Sequence, residues 1–219
     1  MENIRAILFD FDGVMGDTTE QNYEAWSWAI SKWGKIVERD VYFPMEGFKI
    51  DIIASTLLDH QGLPADLSKE LIERREDWAA TNHTPVLFQG NLELVDRLKQ
   101  NNYRVAVVTA ASRRRMDNPI LAPLRTRLDA LVTGEDTPLG KPNPDPYLSG
   151  ANKVGAIPQN CIVVENAPAG IDAAKSAGMG CIGVTSSLTS DYLSKADIII
   201  EDMTCCFDAI CKLSSRFSR

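Results

Sequence analysis

Five short apolar runs along the chain each stop at a polar residue or a turn and then give way to helical periodicity. Ile4 to Phe9 stops at Asp10, Val105 to Val108 at Thr109, Leu131-Val132 at Thr133-Gly134, Ile162 to Val164 at Glu165, and Ile198 to Ile200 at Glu201. None of them alternates apolar with polar residues. A strand that is hydrophobic throughout has to be covered on both faces, and the intervening helices supply that cover. The expected class is therefore α/β with a mostly parallel sheet.

One interval breaks the rhythm. Between Asp10 and Val105 the chain is far longer than a single crossover helix needs, which predicts an inserted helical domain. Tyr23, Trp26, Ile30 and Trp33 recur along one helix face, with Asp17 and Thr18 ahead of them as N-cap residues. Leu67, Leu71 and Trp78 form a second stripe on a helix beginning near Asp66. Trp26, Trp28, Trp33 and Trp78 all fall in this insert, where a small helical unit needs large side chains to make a core. Trp28 lies off the stripe and is the one candidate for stacking on a ligand. Phe88-Gln89-Gly90 returns the chain to the sheet, and Leu92, Val95 and Leu98 mark the helix before the second strand.

Composition narrows the possible partners. The 219 residues are 44% hydrophobic and 24% charged, an ordinary globular balance that excludes disorder as the main state. Against 23 basic residues stand 30 acidic ones, a net charge of −7, so the chain as a whole repels nucleic acid and anionic lipid. A small anionic substrate then requires a local cation. No apolar run approaches the roughly 20 residues that span a bilayer. The opening Met1-Glu2-Asn3-Ile4-Arg5 lacks the regions of a signal peptide, so a soluble cytoplasmic protein is expected. Cys161, Cys181, Cys205, Cys206 and Cys211 are odd in number and show no zinc spacing, as reduced and mostly buried thiols do. The sequence specifies no oligomeric state.

In parallel α/β sheets ligands bind beyond the carboxyl ends of the strands. The polar residues there are Asp10, Asp12, Thr109, Lys141 and Glu165-Asn166. Singly, each is an ordinary cap or a solvated loop residue. Together they form a chemically coherent set at one sheet edge. Asp10-Phe11-Asp12-Gly13-Val14, Val108-Thr109, Gly140-Lys141-Pro142-Asn143-Pro144 and Val163-Val164-Glu165-Asn166-Ala167-Pro168-Ala169-Gly170 resemble, in order, the four motifs of the haloacid dehalogenase-like phosphohydrolases. The pattern is most similar to the subgroup containing β-phosphoglucomutase and phosphoglycolate phosphatase. The resemblance implies a Rossmann-like catalytic core over 1–15 and 88–219 and a small α-helical cap domain over 16–87.

It also implies a Mg²⁺-dependent phosphatase acting on a small phosphorylated metabolite, a sugar phosphate or a phosphoglycolate-like ester, through an aspartyl-phosphate intermediate. Bringing a carboxylate within about 4 Å of a phosphate dianion costs roughly 8 kcal/mol at an effective dielectric near 20, so such a site needs a cation. By resemblance, Asp10 is the nucleophile and a metal ligand, while Asp12 is the acid and base and gives its carbonyl to the metal. Thr109 and the Ala110 amide hold phosphate oxygens, Lys141 neutralises the attacking carboxylate and the phosphate, and Glu165 and Asn166 complete the metal site. Lys49 is expected to reach the substrate from the cap.

Three departures from the family pattern stand out. Asn166 occupies the place of the commoner Asp, which predicts weaker Mg²⁺ binding. Asn22 stands where the mutases carry a histidine, and Gly47-Phe48-Lys49-Ile50 lacks their arginine, so water is expected as the phosphoryl acceptor. A hexose-phosphate mutase is the alternative reading. A non-catalytic binding relative is opposed by the joint presence of Asp10, Asp12 and Lys141. Of Arg113-Arg114-Arg115, the last two are expected to face water, and Arg113 is left as a candidate phosphate contact. Asn22, Trp28, Lys49 and the segment near Phe48 are the candidates to face the leaving group. Closure about hinges near Gly16 and Phe88 is expected. His60 and His83 receive no catalytic role.

Overall fold

The computed structural model describes residues 5–215, so Ile4, the start of the first apolar run, lies outside the described residues. Among these residues six strands form one sheet: β1 Arg5–Phe9, β2 Tyr103–Val108, β3 Ala130–Val132, β4 Cys161–Glu165, β5 Gly180–Val184 and β6 Ile198–Ile200. All neighbours pair in parallel, in the order β3-β2-β1-β4-β5-β6. The strand not anticipated is β5. Two glycines interrupt its apolar run, yet every one of its residues is buried.

The helices are α1 Thr19–Ser31, α2 Arg39–Tyr42, α3 Ile50–His60, α4 Ser68–Asn82, α5 Asn91–Gln100, α6 Arg113–Met116, α7 Ala122–Arg125, α8 Asp145–Lys153, α9 Pro168–Ser176 and α10 Cys206–Ser214. Successive strand residues point to opposite faces. Ile7 and Phe9 therefore join Val107, Val164, Leu98 of α5 and Ile210 of α10 in one core. Leu8 joins Ala106, Val163, Tyr147 of α8 and Ile171 of α9 in the other. Uniformly apolar strands thus serve two cores at once. No helix among the described residues is long and apolar enough to cross a membrane.

Helices α1 to α4 have a separate core built on Trp26, Ile30, Tyr42, Leu57, Leu58 and Leu71. Two antiparallel linkers join this layer to the sheet. The Asp17 amide donates to the Val86 carbonyl at 2.8 Å, and the Phe88 amide donates to the Met15 carbonyl at 3.1 Å. The Asn91 side chain secures the first linker by donating to the carbonyls of Val14 and Met15 at 2.9 and 3.1 Å. Trp28 does not face a ligand site. It is 42% exposed, and the Arg74 guanidinium stacks on it 4.4 Å from the ring centroid. It sits two residues beyond the buried Trp26, which rotates it out of the apolar stripe.

Because the helical layer and the sheet have separate cores, small cavities in each are expected to act independently. Ile7→Val and Ile30→Val should each cost about 1 kcal/mol. In a urea-denaturation cycle the double variant should equal their sum to within about 0.5 kcal/mol, and a larger coupling would mean that the two cores pack as one.

Candidate active site

The chain reverses its direction of travel across the sheet at β1, which pairs with β2 on one side and β4 on the other. Residues leaving the carboxyl ends of these three strands therefore converge. The sheet still holds the residue after each end. The Asp10 amide donates to the Val164 carbonyl, and the Thr109 amide donates to the Val132 carbonyl, both at 3.0 Å. The Thr109 hydroxyl oxygen accepts from the Ala111 amide at 3.0 Å, which leaves its own proton free to donate. Ala110 lines the same cleft.

Lys141 closes the arrangement. It is 2% exposed, and its ammonium donates to Asp10 Oδ1 at 2.5 Å and to Glu165 Oε1 at 2.7 Å. Burial works against the ammonium charge, but Asp10 and Glu165 outweigh it and hold Lys141 protonated, above its ordinary value. Burial, opposed by Lys141 and reinforced by Glu165 and Asp12, pushes the Asp10 carboxyl up.

Glu165, expected as a metal ligand, has both carboxylate oxygens engaged by protein donors. Tyr147 donates to its Oε1 at 2.6 Å, and the amides of Asn166 and Ala167 donate to its Oε2 at 3.0 and 3.2 Å. Its role here is to anchor Lys141. Gly170 makes room for it, because a Cβ there would lie 1.7 Å from Glu165 Oε1.

Asp12 is held by Thr18 and Arg115. The Thr18 hydroxyl donates to Asp12 Oδ1, so this N-cap residue makes no side-chain cap bond to its own helix. Arg115 donates to both Asp12 oxygens, at 2.5 and 3.1 Å. Burial opposes the charge on Asp12, but the Arg115 guanidinium and the Thr18 hydrogen bond keep its carboxyl below the usual range. The expectation that Arg115 faces water is thus corrected, and it is Arg113 that turns away, donating to Asp136 at 2.9 Å. The one-turn helix α6 explains the phase. Ser112 caps it by accepting from the Arg115 amide at 3.3 Å, which points the third arginine inward.

The oxygen set suits a hard cation. Asn166 Oδ1 is buried and has no partner, while its Nδ2 donates to Ser187 at 2.9 Å. Gly13, at φ +78°, lets the chain pass over it; a Cβ there would lie 2.2 Å from Asn166 Nδ2. An orphaned carbonyl oxygen just past the end of β4, the strand paired with β1, fits Mg²⁺, which takes few protein oxygens and keeps waters. Among the described residues no three His, Cys, Asp or Glu side chains converge as a metal cluster.

A cleft of about 400 Å³ lies between this edge and helices α1, α3 and α4. Asn22 lines it and accepts from Arg75 at 3.0 Å. Phe48 also lines it. Lys49 reaches the cleft but is committed elsewhere than to a substrate, donating to the carbonyls of Thr137 and Pro138 at 2.8 and 2.9 Å. It ties the helical layer to the loop that carries Lys141. His83 donates through Nε2 to the Gln21 carbonyl at 2.9 Å. Burial and then Arg115 pull it down to about 4, so it is neutral near pH 7.

Residues 7–184 match the haloacid dehalogenase-like hydrolase family. The chain belongs to that family. Validoxylamine A 7'-phosphate phosphatase of Streptomyces hygroscopicus subsp. limoneus is 32% identical to this hydrolase over 205 residues, covering 91% of this chain and 94% of its own. Hexitol phosphatase A of Escherichia coli is 29% identical and covers 91% of both chains. A β-phosphoglucomutase structure from Clostridium difficile shares the fold, with a TM-score of 0.85, 98% coverage of both chains and 23% identity.

Sequence reasoning missed four residues of this hydrolase's site: Arg115, Tyr147, Arg75 and Glu46. The first two could have been found from helical phase. The other two lie outside any motif. Tyr42 donates to Glu46 Oε1 at 2.8 Å across one helical turn, and Glu46 is only 3% exposed. Burial, then Asp12, raise Glu46 from an ordinary 4.5 to about 8. Between these two values the unfolded chain has lost this proton while the native one keeps it, so raising the pH removes stability. Glu46→Gln has no such proton to keep. Urea denaturation from pH 5 to pH 8 should show the variant gaining on the wild type by about 3 kcal/mol, and a constant difference would mean that Glu46 is ionised in the native state.

Proposed function

We propose that this hydrolase is a Mg²⁺-dependent phosphatase for small phosphorylated metabolites, working through a phosphorylated Asp10. The observation that carries the reading is the buried Lys141 ammonium, which holds Asp10 at the mouth of the cleft two residues from Asp12. Bound Mg²⁺, with Asp10, the Asp12 carbonyl and Asn166 as its protein ligands, would screen the repulsion between carboxylate and phosphate and orient the phosphoryl group.

The chain's own residues account for the rest. The free Asp10 oxygen forms a bond to phosphorus as the bond from phosphorus to the leaving oxygen breaks. Thr109 donates its free proton to a phosphoryl oxygen, the Ala110 amide donates to another, and Lys141 balances the charge that develops. Asp12 gives a proton to the leaving alcohol and then takes one from the water that cleaves the acyl phosphate, releasing inorganic phosphate. Paired with Arg115, Asp12 is an anion, so before it can act as the acid it must take up a proton from solvent as that pair opens. The linkers at Gly16 and Phe88 are the hinges about which the helical layer closes as a cap and excludes bulk water.

Kinship with two named phosphatases supports hydrolysis. So does Asn22 in place of the mutase histidine, together with a Lys49 that already serves two carbonyls. Release of inorganic phosphate from a monoester panel with Mg²⁺, and no added sugar bisphosphate, tests the reading. Asp10→Asn should reduce turnover by about a thousand-fold or more; near-normal turnover would refute the covalent route. Asn166→Asp should restore a full negative charge to the metal site and tighten the apparent Mg²⁺ constant by about ten-fold. No gain in a Mg²⁺ titration of activity would remove Asn166 from the ligand set.

A further inference from the structure

Two buried groups on the wall of the cleft formed by the helical layer have unmet hydrogen-bonding capacity that no motif explains, Glu46 Oε2 and Arg75 Nε. Glu46 lines the cleft and is 3% exposed, and Tyr42 donates to its Oε1 at 2.8 Å. Its Oε2 has no partner. A buried polar atom without a partner is rare and calls for one. Burial, with Asp12 as the next cause, raises this carboxyl to about 8, so near neutral pH it is an acid. Since Oε1 accepts from Tyr42, the acid proton sits on Oε2 and is available to donate.

The charges around Glu46 are already matched. Arg75 donates to Glu76 at 2.5 Å and to Asn22 at 3.0 Å, and Lys49 is held by two carbonyls. Asp51 and Glu76 line the same wall and offset these two cations. Among the described residues both cations of this wall thus have counter-charges, and the one donor they leave over, the buried Arg75 Nε, can serve a hydroxyl oxygen of the same molecule. Trp26, Ile53 and Ile72 supply apolar surface beside the polar groups, as the C–H faces of a polyhydroxylated molecule require.

We propose that Glu46, steadied by Tyr42, is the specificity residue for the leaving group, and that the hydrolase prefers phosphate monoesters of uncharged polyhydroxylated alcohols to those of hydroxy acids. The inference rests on the phosphatase reading and narrows its substrate class. The neutral carboxyl donates to one substrate hydroxyl. A carboxylate in the same position would add an unmatched negative charge near Asp12 to a wall whose two cations, Arg75 and Lys49, already have partners. Phosphoglycolate is therefore disfavoured.

The test compares turnover of sorbitol 6-phosphate, phosphoglycolate and p-nitrophenyl phosphate with Mg²⁺. The wild type should show a kcat/KM for sorbitol 6-phosphate about ten-fold or more above that for phosphoglycolate. Glu46→Met should lower the ratio of kcat/KM for sorbitol 6-phosphate over p-nitrophenyl phosphate by about ten-fold, mainly through KM, as loss of one buried hydrogen bond requires. Glu46→Gln, which can still donate, should keep that ratio within about three-fold of the wild type. If the wild type hydrolyses p-nitrophenyl phosphate but treats sorbitol 6-phosphate and phosphoglycolate alike, the inference fails and the phosphatase reading stands. An unchanged ratio in Glu46→Met overturns it equally. If no monoester is hydrolysed at all, the phosphatase reading falls and takes the inference with it.

Discussion

A single ammonium group buried between two carboxylates organises the catalytic edge of the sheet. Lys141 comes from the loop before α8, Asp10 from the end of β1 and Glu165 from the end of β4. Removing either acid would leave a buried charge without compensation, which is costly, so the three positions specify one another. Glu165 is fixed in turn by Tyr147 and by two amides at the start of α9, and Gly170 yields the space it needs. Asp10 is thereby backed by a rigid sheet and two helix starts.

A second ion pair, between Asp12 and Arg115, lies two residues along the chain from Asp10 and behaves differently. Lys141 is sealed, whereas Arg115 borders the open cleft and keeps Asp12 in its charged form. The helical layer meets both. Lys49 bonds to the loop that carries Lys141, and Asn22 with Arg75 stands across from Asp12. The helical layer thus contacts the surroundings of both ion pairs through a few side chains. The wall it contributes carries balanced charge around a neutral Glu46.

Much of this was legible beforehand. Apolar runs with no alternation mark strands covered on both faces, and the polar residues closing them name the edge where ligands bind. The missed strand, β5, is diluted by Gly180 and Gly183, so periodicity alone could not separate it from a loop. Trp28 is not settled by its place in the sequence, because a residue off the apolar stripe can face either ligand or solvent, and here it faces solvent beneath Arg74. Arg115 is indistinguishable from its two neighbours in sequence, because three adjacent arginines look alike until a capped helical turn fixes their phase.

By itself the sequence determined the parallel α/β class, the helical insert and the set of residues able to carry phosphoryl chemistry, since strand ends, apolar patterning and residue type are local properties. Only the tertiary structure decided what each of those residues is free to do. Glu165 is spent on Lys141, Lys49 on two carbonyls, and Glu46 keeps its proton, because hydrogen-bond partners and desolvation depend on groups far away in the chain that folding brings to within a few ångströms.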